Sequence, residues 1–139
     1  MRELYPSSFV ENSLTHALDM LRSDGEFFPY AVTTGTPDKP GSIIGKEFES
    51  RIGSETAEEL EAIVGYLRDK AESHEIIEAA IITNRSRCEG DRVIDSICVD
   101  TETQTGFSAY VIFEYRLGYD RKIHLNPPGL IAHEPRIFV

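Results

Sequence analysis

The chain has 139 residues, a length at which one domain is expected, and its 40% hydrophobic and 27% charged residues fit a folded protein. The 14 Lys+Arg stand against 24 Asp+Glu, a net charge of −10. That balance argues against nucleic-acid binding, which needs a basic footprint, and against docking on anionic membrane surfaces.

No apolar run approaches the ~20 residues that span a bilayer, and the start, Met1-Arg2-Glu3-Leu4-Tyr5-Pro6, lacks an apolar signal core. The two cysteines, Cys88 and Cys98, do not make a disulfide-dense secreted framework. The expectation is a cytoplasmic protein with reduced thiols, and the Asn84-Arg85-Ser86 sequon is read as chance.

In chain order, Val10, Leu14, Ala17, Leu18 and Leu21 fall on one face at helical spacing, with Gly25 as a left-handed stop. This predicts a helix over 8–23, with Ser8 and Glu11 as a capping box. A strand is expected over 27–34, with Pro29 at an unpaired position or at its start. Gly35-Thr-Pro-Asp-Lys-Pro-Gly41 reads as a hairpin loop, followed by a weak, short edge strand at 42–51. Ala57, Leu60, Ile63, Val64, Leu67 and Ala71 form the stripe of a second helix over 56–74, with Thr56 and Glu59 as its capping box. The near-continuous apolar run Ile76-Ile77-Glu78-Ala79-Ala80-Ile81-Ile82 predicts a strand over 76–84, covered on both faces or central in the sheet. Arg87–Asp91 reads as a turn, 92–102 as an alternating strand, 103–106 as a second turn and 107–117 as a third strand of a meander. Lys122–Leu125 reads as a short strand, and the apolar Ile137-Phe138-Val139 packs back on the body.

The order α-β-β-α-β-β-β predicts one α+β domain over 1–139. It is a two-layer arrangement, with two helices packed on an antiparallel sheet of about five strands. This element order resembles that of roadblock-, longin- and profilin-like domains. The opening, a helix running into Asp24-Gly25-Glu26-Phe27-Phe28-Pro29-Tyr30, resembles small uncharacterised bacterial α+β proteins over the first quarter of the chain. Neither resemblance implies an activity.

Chemical motifs are sparse. His16, His74, His124 and His133 form no His-x-x-x-His pair, and neither cysteine sits in Cys-x-x-Cys, so no metal and no cofactor are expected. A site joining distant residues, such as His124 with His133, stays open. Gly35–Ser42 lacks the Gly-Lys-Ser/Thr ending of a P-loop, and there is no Gly-x-Ser-x-Gly elbow. Cys98 alternates within a strand and reads as a buried small hydrophobe, while Cys88 sits near Arg85 and Arg87. Asp100 and Glu102 share a strand face, a placement that supplies an acid and a base in some sites but here reads as a solvated sheet end.

Surface charge is the main signal. Residues 47–78 hold ten acids and three bases, −7 of the total −10. The leading expectation is a non-enzymatic protein-binding domain that presents Glu55, Glu58, Glu59 and Glu61 to a basic partner. A bacterial immunity-type or regulatory protein that masks a nuclease would act this way, placing carboxylates where phosphates would bind. One alternative is a homodimeric scaffold joined through a sheet edge. Another is a small-ligand or enzymatic domain whose sheet face brings together Tyr110, Tyr115, Arg116 and His124.

Overall fold

The computed structural model describes residues 5–36, 43–44 and 56–139. Helix α1 spans Ser7–Asp24, strand β1 Tyr30–Gly35, strand β2 Ile43–Ile44 and helix α2 Thr56–Glu72. Five strands follow: β3 (Ile76–Glu89), β4 (Arg92–Thr103), β5 (Ser108–Leu117), β6 (Ile123–Leu125) and β7 (Gly129–Ala132). All pair antiparallel in the order β2-β1-β3-β4-β5-β6, with β7 also on β5. The α+β class is that expected from the sequence and the element order matches roughly, with seven strands rather than about five and β7 as an addition. Two short strands, β6 and β7, share the outer side of β5. No helix among the described residues is long and apolar enough to cross a membrane.

Helix α1 opens at Ser7 on Pro6, with no side-chain cap. The Ser8–Glu11 capping box is therefore not made, because the helix starts two residues earlier than the box requires, with Pro6 rather than Ser8 at the N-cap. At the other end Gly25 adopts φ 78°, and its N–H donates to the Leu21 carbonyl at 3.0 Å. Arg121 Nη1 donates to the carbonyls of Arg22 and Ser23 at 2.8 and 3.0 Å, a cation where the helix dipole favours one. The expected Thr56–Glu59 box, most of the Gly35–Gly41 loop and most of the 42–51 strand lie outside the described residues.

The β3–β4 hairpin is longer than the sequence suggests. Arg87–Glu89, expected in a turn, continue β3, and the reversal is confined to Gly90-Asp91, with Gly90 at φ 65°. Polar residues in an exposed strand weaken the apolar alternation that would mark it, but the ladder to Arg92–Asp95 still satisfies their backbone groups.

The strands are apolar on both sides, and this decides the layering. Ala80 and Ile82 of β3, Ile97 and Val99 of β4 and Val111 and Phe113 of β5 pack with Val10, Leu14, Ala17 and Leu21 of α1. Ala79 and Ile81 of β3 and Ala31 of β1 point the other way, against Ile63, Val64 and Leu67 of α2. The helices thus cover opposite faces, giving three layers rather than the expected two. A strand with no polar side needs a cover on each face, and each fully buried Leu or Ile contributes roughly 1.5–3 kcal/mol.

Tyr30 ties α1 to the sheet. Its hydroxyl donates to the Ser13 carbonyl at 2.6 Å and accepts the Ala17 N–H at 3.0 Å, so it sits between two groups that pair directly in a regular helix. Burial pushes the phenol well above its ordinary value, and the Ala17 N–H opposes this only in part.

Candidate functional site

Period-two alternation sends Ile97, Val99 and Thr101 of β4 toward α1, and Cys98, Asp100 and Glu102 toward α2. Asp100 and Glu102 are buried, at 6% and 0% exposure, rather than forming a solvated sheet end. The reason is the C-terminal tail, which runs back across this end of the face and buries Ile137. Burying a carboxylate demands donors. Glu102 Oε1 accepts the backbone N–H groups of Arg136, Ile137 and Phe138 at 3.0, 2.8 and 3.2 Å, and Oε2 accepts that of Arg136 at 3.1 Å. Three successive N–H groups around one carboxylate form an anion-holding concavity, here filled by a side chain of the same protein. Arg68 of α2 donates from Nε to the Arg136 carbonyl at 2.8 Å, so the tail is gripped from helix and sheet together.

Asp100 is held from both sides. Its Oδ2 accepts Arg136 Nη2, and its Oδ1 lies 2.6 Å from His133 Nε2. Burial raises the Asp100 carboxyl above its ordinary value, while the charges of Arg136 and His133 oppose the shift. The other ring nitrogen, His133 Nδ1, lies 2.8 Å from the Glu134 carbonyl and 3.1 Å from Ser108 Oγ.

The chain Ser108–His133–Asp100 has the composition of a nucleophile–base–orienter relay. His133 has an acceptor at each ring nitrogen, the Glu134 carbonyl at Nδ1 and the Asp100 carboxyl at Nε2, and with a proton on Nδ1 it meets Ser108 as a donor rather than as a base.

The ligand atoms of Asp100, Glu102 and His133 lie within 4.8 Å of one another, a grouping that invites a cation. The donor set does not fit one. The Glu102 oxygens face three N–H groups, and a guanidinium is paired with Asp100, so a metal would have to displace every one of these donors.

Beside this cluster is a small cavity of about 50 Å³. Leu60 and Val64 of α2 and Ile81 of β3 form its apolar side. Thr83, Arg85, Asp100, Tyr110 and Arg136 form its polar side. Arg85 donates from Nε to Thr83 Oγ1 at 3.2 Å and lies 5.6 Å from the centre of the Tyr110 ring, which also packs on His133 at 4.5 Å. Arg136 Nε is buried, and no acceptor among the described residues reaches it. A groove of about 570 Å³ along α2 shares Leu60, Val64 and Arg136 with the cavity.

The sequence-derived candidates fall in separate places. Glu58 and Glu61 are exposed on α2, whereas Glu55 and the Glu59 side chain lie outside the described residues. Tyr115, Arg116 and His124 line one groove of about 470 Å³ between the start of β4 and β6. Arg116 and His124 are direct register partners, and the Tyr115 hydroxyl donates to Asn84 Oδ1 at 2.9 Å. Tyr110 is not with them; it faces the α2 side beside Arg85. His124 lines the β6 groove, and His133 belongs to the Asp100 cluster, so the two histidines serve different sites. Cys98 is buried and its thiol is pushed up by that burial; Cys88 is exposed.

Sequence reasoning missed the Asp100–Glu102–His133–Arg136 cluster. The available signal was two carboxylates inside a strand otherwise built of Ile97, Val99 and Cys98, together with an apolar tail that carries one arginine. No family model, no curated protein and no solved structure matches the chain.

Proposed function

We propose that the protein is a non-enzymatic binding domain that presents the outer face of α2 to a basic protein partner, as an immunity-type or regulatory protein would. One observation carries this reading. Glu58, Glu61, Asp69 and Glu72 are all exposed and fall within about 80° of arc at 100° per residue, forming a single-signed ridge. The cations of the same helix are engaged elsewhere, Arg68 with the tail carbonyl and Lys70 with Glu75 at 3.5 Å. A ridge of one sign speeds encounter with a partner of the other and selects against like-charged ones.

The test compares the wild type with a variant carrying Glu58→Gln, Glu61→Gln, Asp69→Asn and Glu72→Gln, each immobilised and exposed to cell extract at low salt. The wild type is expected to retain a basic protein that elutes as salt rises, and the variant to lose it. Equal retention by both would remove α2 as the interface.

A second reading, self-association through the sheet edge, is favoured by β7. Leu130 and Ile131 are 40% and 56% exposed, and β7 is paired on one side by β5. Residues 121–133 contain no carboxylate, so two copies of this acidic chain would meet there with the least repulsion. Sedimentation at high concentration tests it: a monomer throughout rejects the dimer.

A further inference from the structure

We propose that the cavity between α2 and the sheet binds the carboxylate head of a small organic acid, held between Arg85 and Arg136. This goes beyond the partner-binding reading and does not depend on it.

Three observations converge. First, Arg136 Nε is a buried donor that no acceptor among the described residues reaches, although its Nη2 is paired with Asp100. A buried unmet donor is costly, and a charged donor more so, which marks a place for an acceptor. Second, Arg85 lines the same cavity, together with the hydroxyl-bearing Thr83 and Tyr110. Two guanidinium groups against the single carboxylate of Asp100 leave one positive charge over at the cavity wall. That surplus suits a monoanion, and the planar guanidinium donors suit a planar carboxylate. Third, the cavity has an apolar side. At about 50 Å³ it takes a head group and not a whole ligand, since pockets for larger molecules run ~300–1,000 Å³. The adjoining groove of about 570 Å³ shares Leu60, Val64 and Arg136 and offers the apolar body a path along α2. The ligand class is therefore a short acid with a hydrocarbon or aryl body, its carboxylate inward.

Arg85 is the residue to test. It lies on the exposed part of β3, where it donates one hydrogen bond to Thr83 and rests on the Tyr110 ring, so the fold does not depend on it. The probes are hexanoate, the neutral hexan-1-ol and inorganic phosphate, titrated by calorimetry, with the Arg Nε–H resonances followed by NMR. Hexanoate is expected to bind with a Kd of about 1 mM or tighter and to shift the Arg136 Nε–H signal. Hexan-1-ol should bind at least about tenfold more weakly, and Arg85→Gln should weaken hexanoate by a similar factor, the loss of one charge-assisted hydrogen bond. Hexan-1-ol binding as well as hexanoate would overturn the proposal. So would phosphate binding in preference to hexanoate, unchanged affinity in a folded Arg85→Gln, or no response of the Arg136 Nε–H signal at saturation.

Discussion

The two faces of the sheet are built on different principles. Under α1, the cluster from Phe9 to Phe113 is apolar, and the hydroxyls buried with it, those of Ser13, Tyr30 and Thr101, each bond to backbone groups. Under α2, the cluster holds eight buried residues against thirteen among the described residues, and the end of the face is completed by Asp100, Glu102, His133 and Arg136 with the tail folded over them. The first face holds through area removed from water, which tolerates any shape-conserving apolar exchange. The second holds through a carboxylate whose donors must all be present, which tolerates almost none. Candidate ligand chemistry sits on the second face, where donors, charges and a cavity meet.

Substitutions that separate the faces follow, in order of size. Glu102→Ala leaves three backbone N–H groups buried without their acceptor and should cost about 3–5 kcal/mol. Hydrogen exchange would show it as lost protection at Arg136, Ile137 and Phe138 while the α1 face stays protected. Uniform loss of protection would mean that the two faces do not open separately. Ile82→Ala on the α1 face should cost about 2–5 kcal/mol by denaturant unfolding and leave the tail amides ordered up to the global transition. Tyr30→Phe should cost about 1–3 kcal/mol, because it strands the Ser13 carbonyl and the Ala17 N–H inside an otherwise dry face.

The smallest effect is a titration. The folded Asp100 carboxyl lies above its ordinary value of 3.8 because of burial. Its contribution to stability is therefore full below about pH 3.8 and is lost as pH rises through the folded value. Carboxyl NMR should place its midpoint above the ordinary 3.8, and a midpoint at or below that value would contradict the burial argument.

The sequence carried the α1 face almost completely. Val10, Leu14, Ala17 and Leu21 announce their helix by spacing, and Ile97, Val99, Val111 and Phe113 announce their strands by alternation. Periodicity reports apolar contacts well because each residue carries its own share of the signal. The third layer was half legible: the run Ile76–Ile82 reads as covered on both faces or central in the sheet, and only the first of these calls for a helix on each side. The carboxylate cluster was not legible, because burial of Asp100 and Glu102 depends on donors more than thirty residues away. Nothing local to Asp100 distinguishes a buried, donor-filled pair from a solvated one. The end of β3 escaped for a related reason, since its strand character comes from pairing with β4 and not from its own residues.

The Tyr30 hydroxyl has a consequence for how the strand finds its place. A strand that slips by one residue turns every side chain to the opposite face. For β1 that slip would aim the phenol at α2, while Ser13 and Ala17 would face each other with no hydroxyl between them. Apolar neighbours such as Ala31 and Val32 differ little in which face they accept, so they distinguish the two registers weakly. The phenol distinguishes them sharply, because only one alignment meets both a donor and an acceptor spaced one helical turn apart. Tyr30 works as an indexing pin: it adds modest strength, and it sets which of two nearly equivalent pairings of β1 with β3 is the native one.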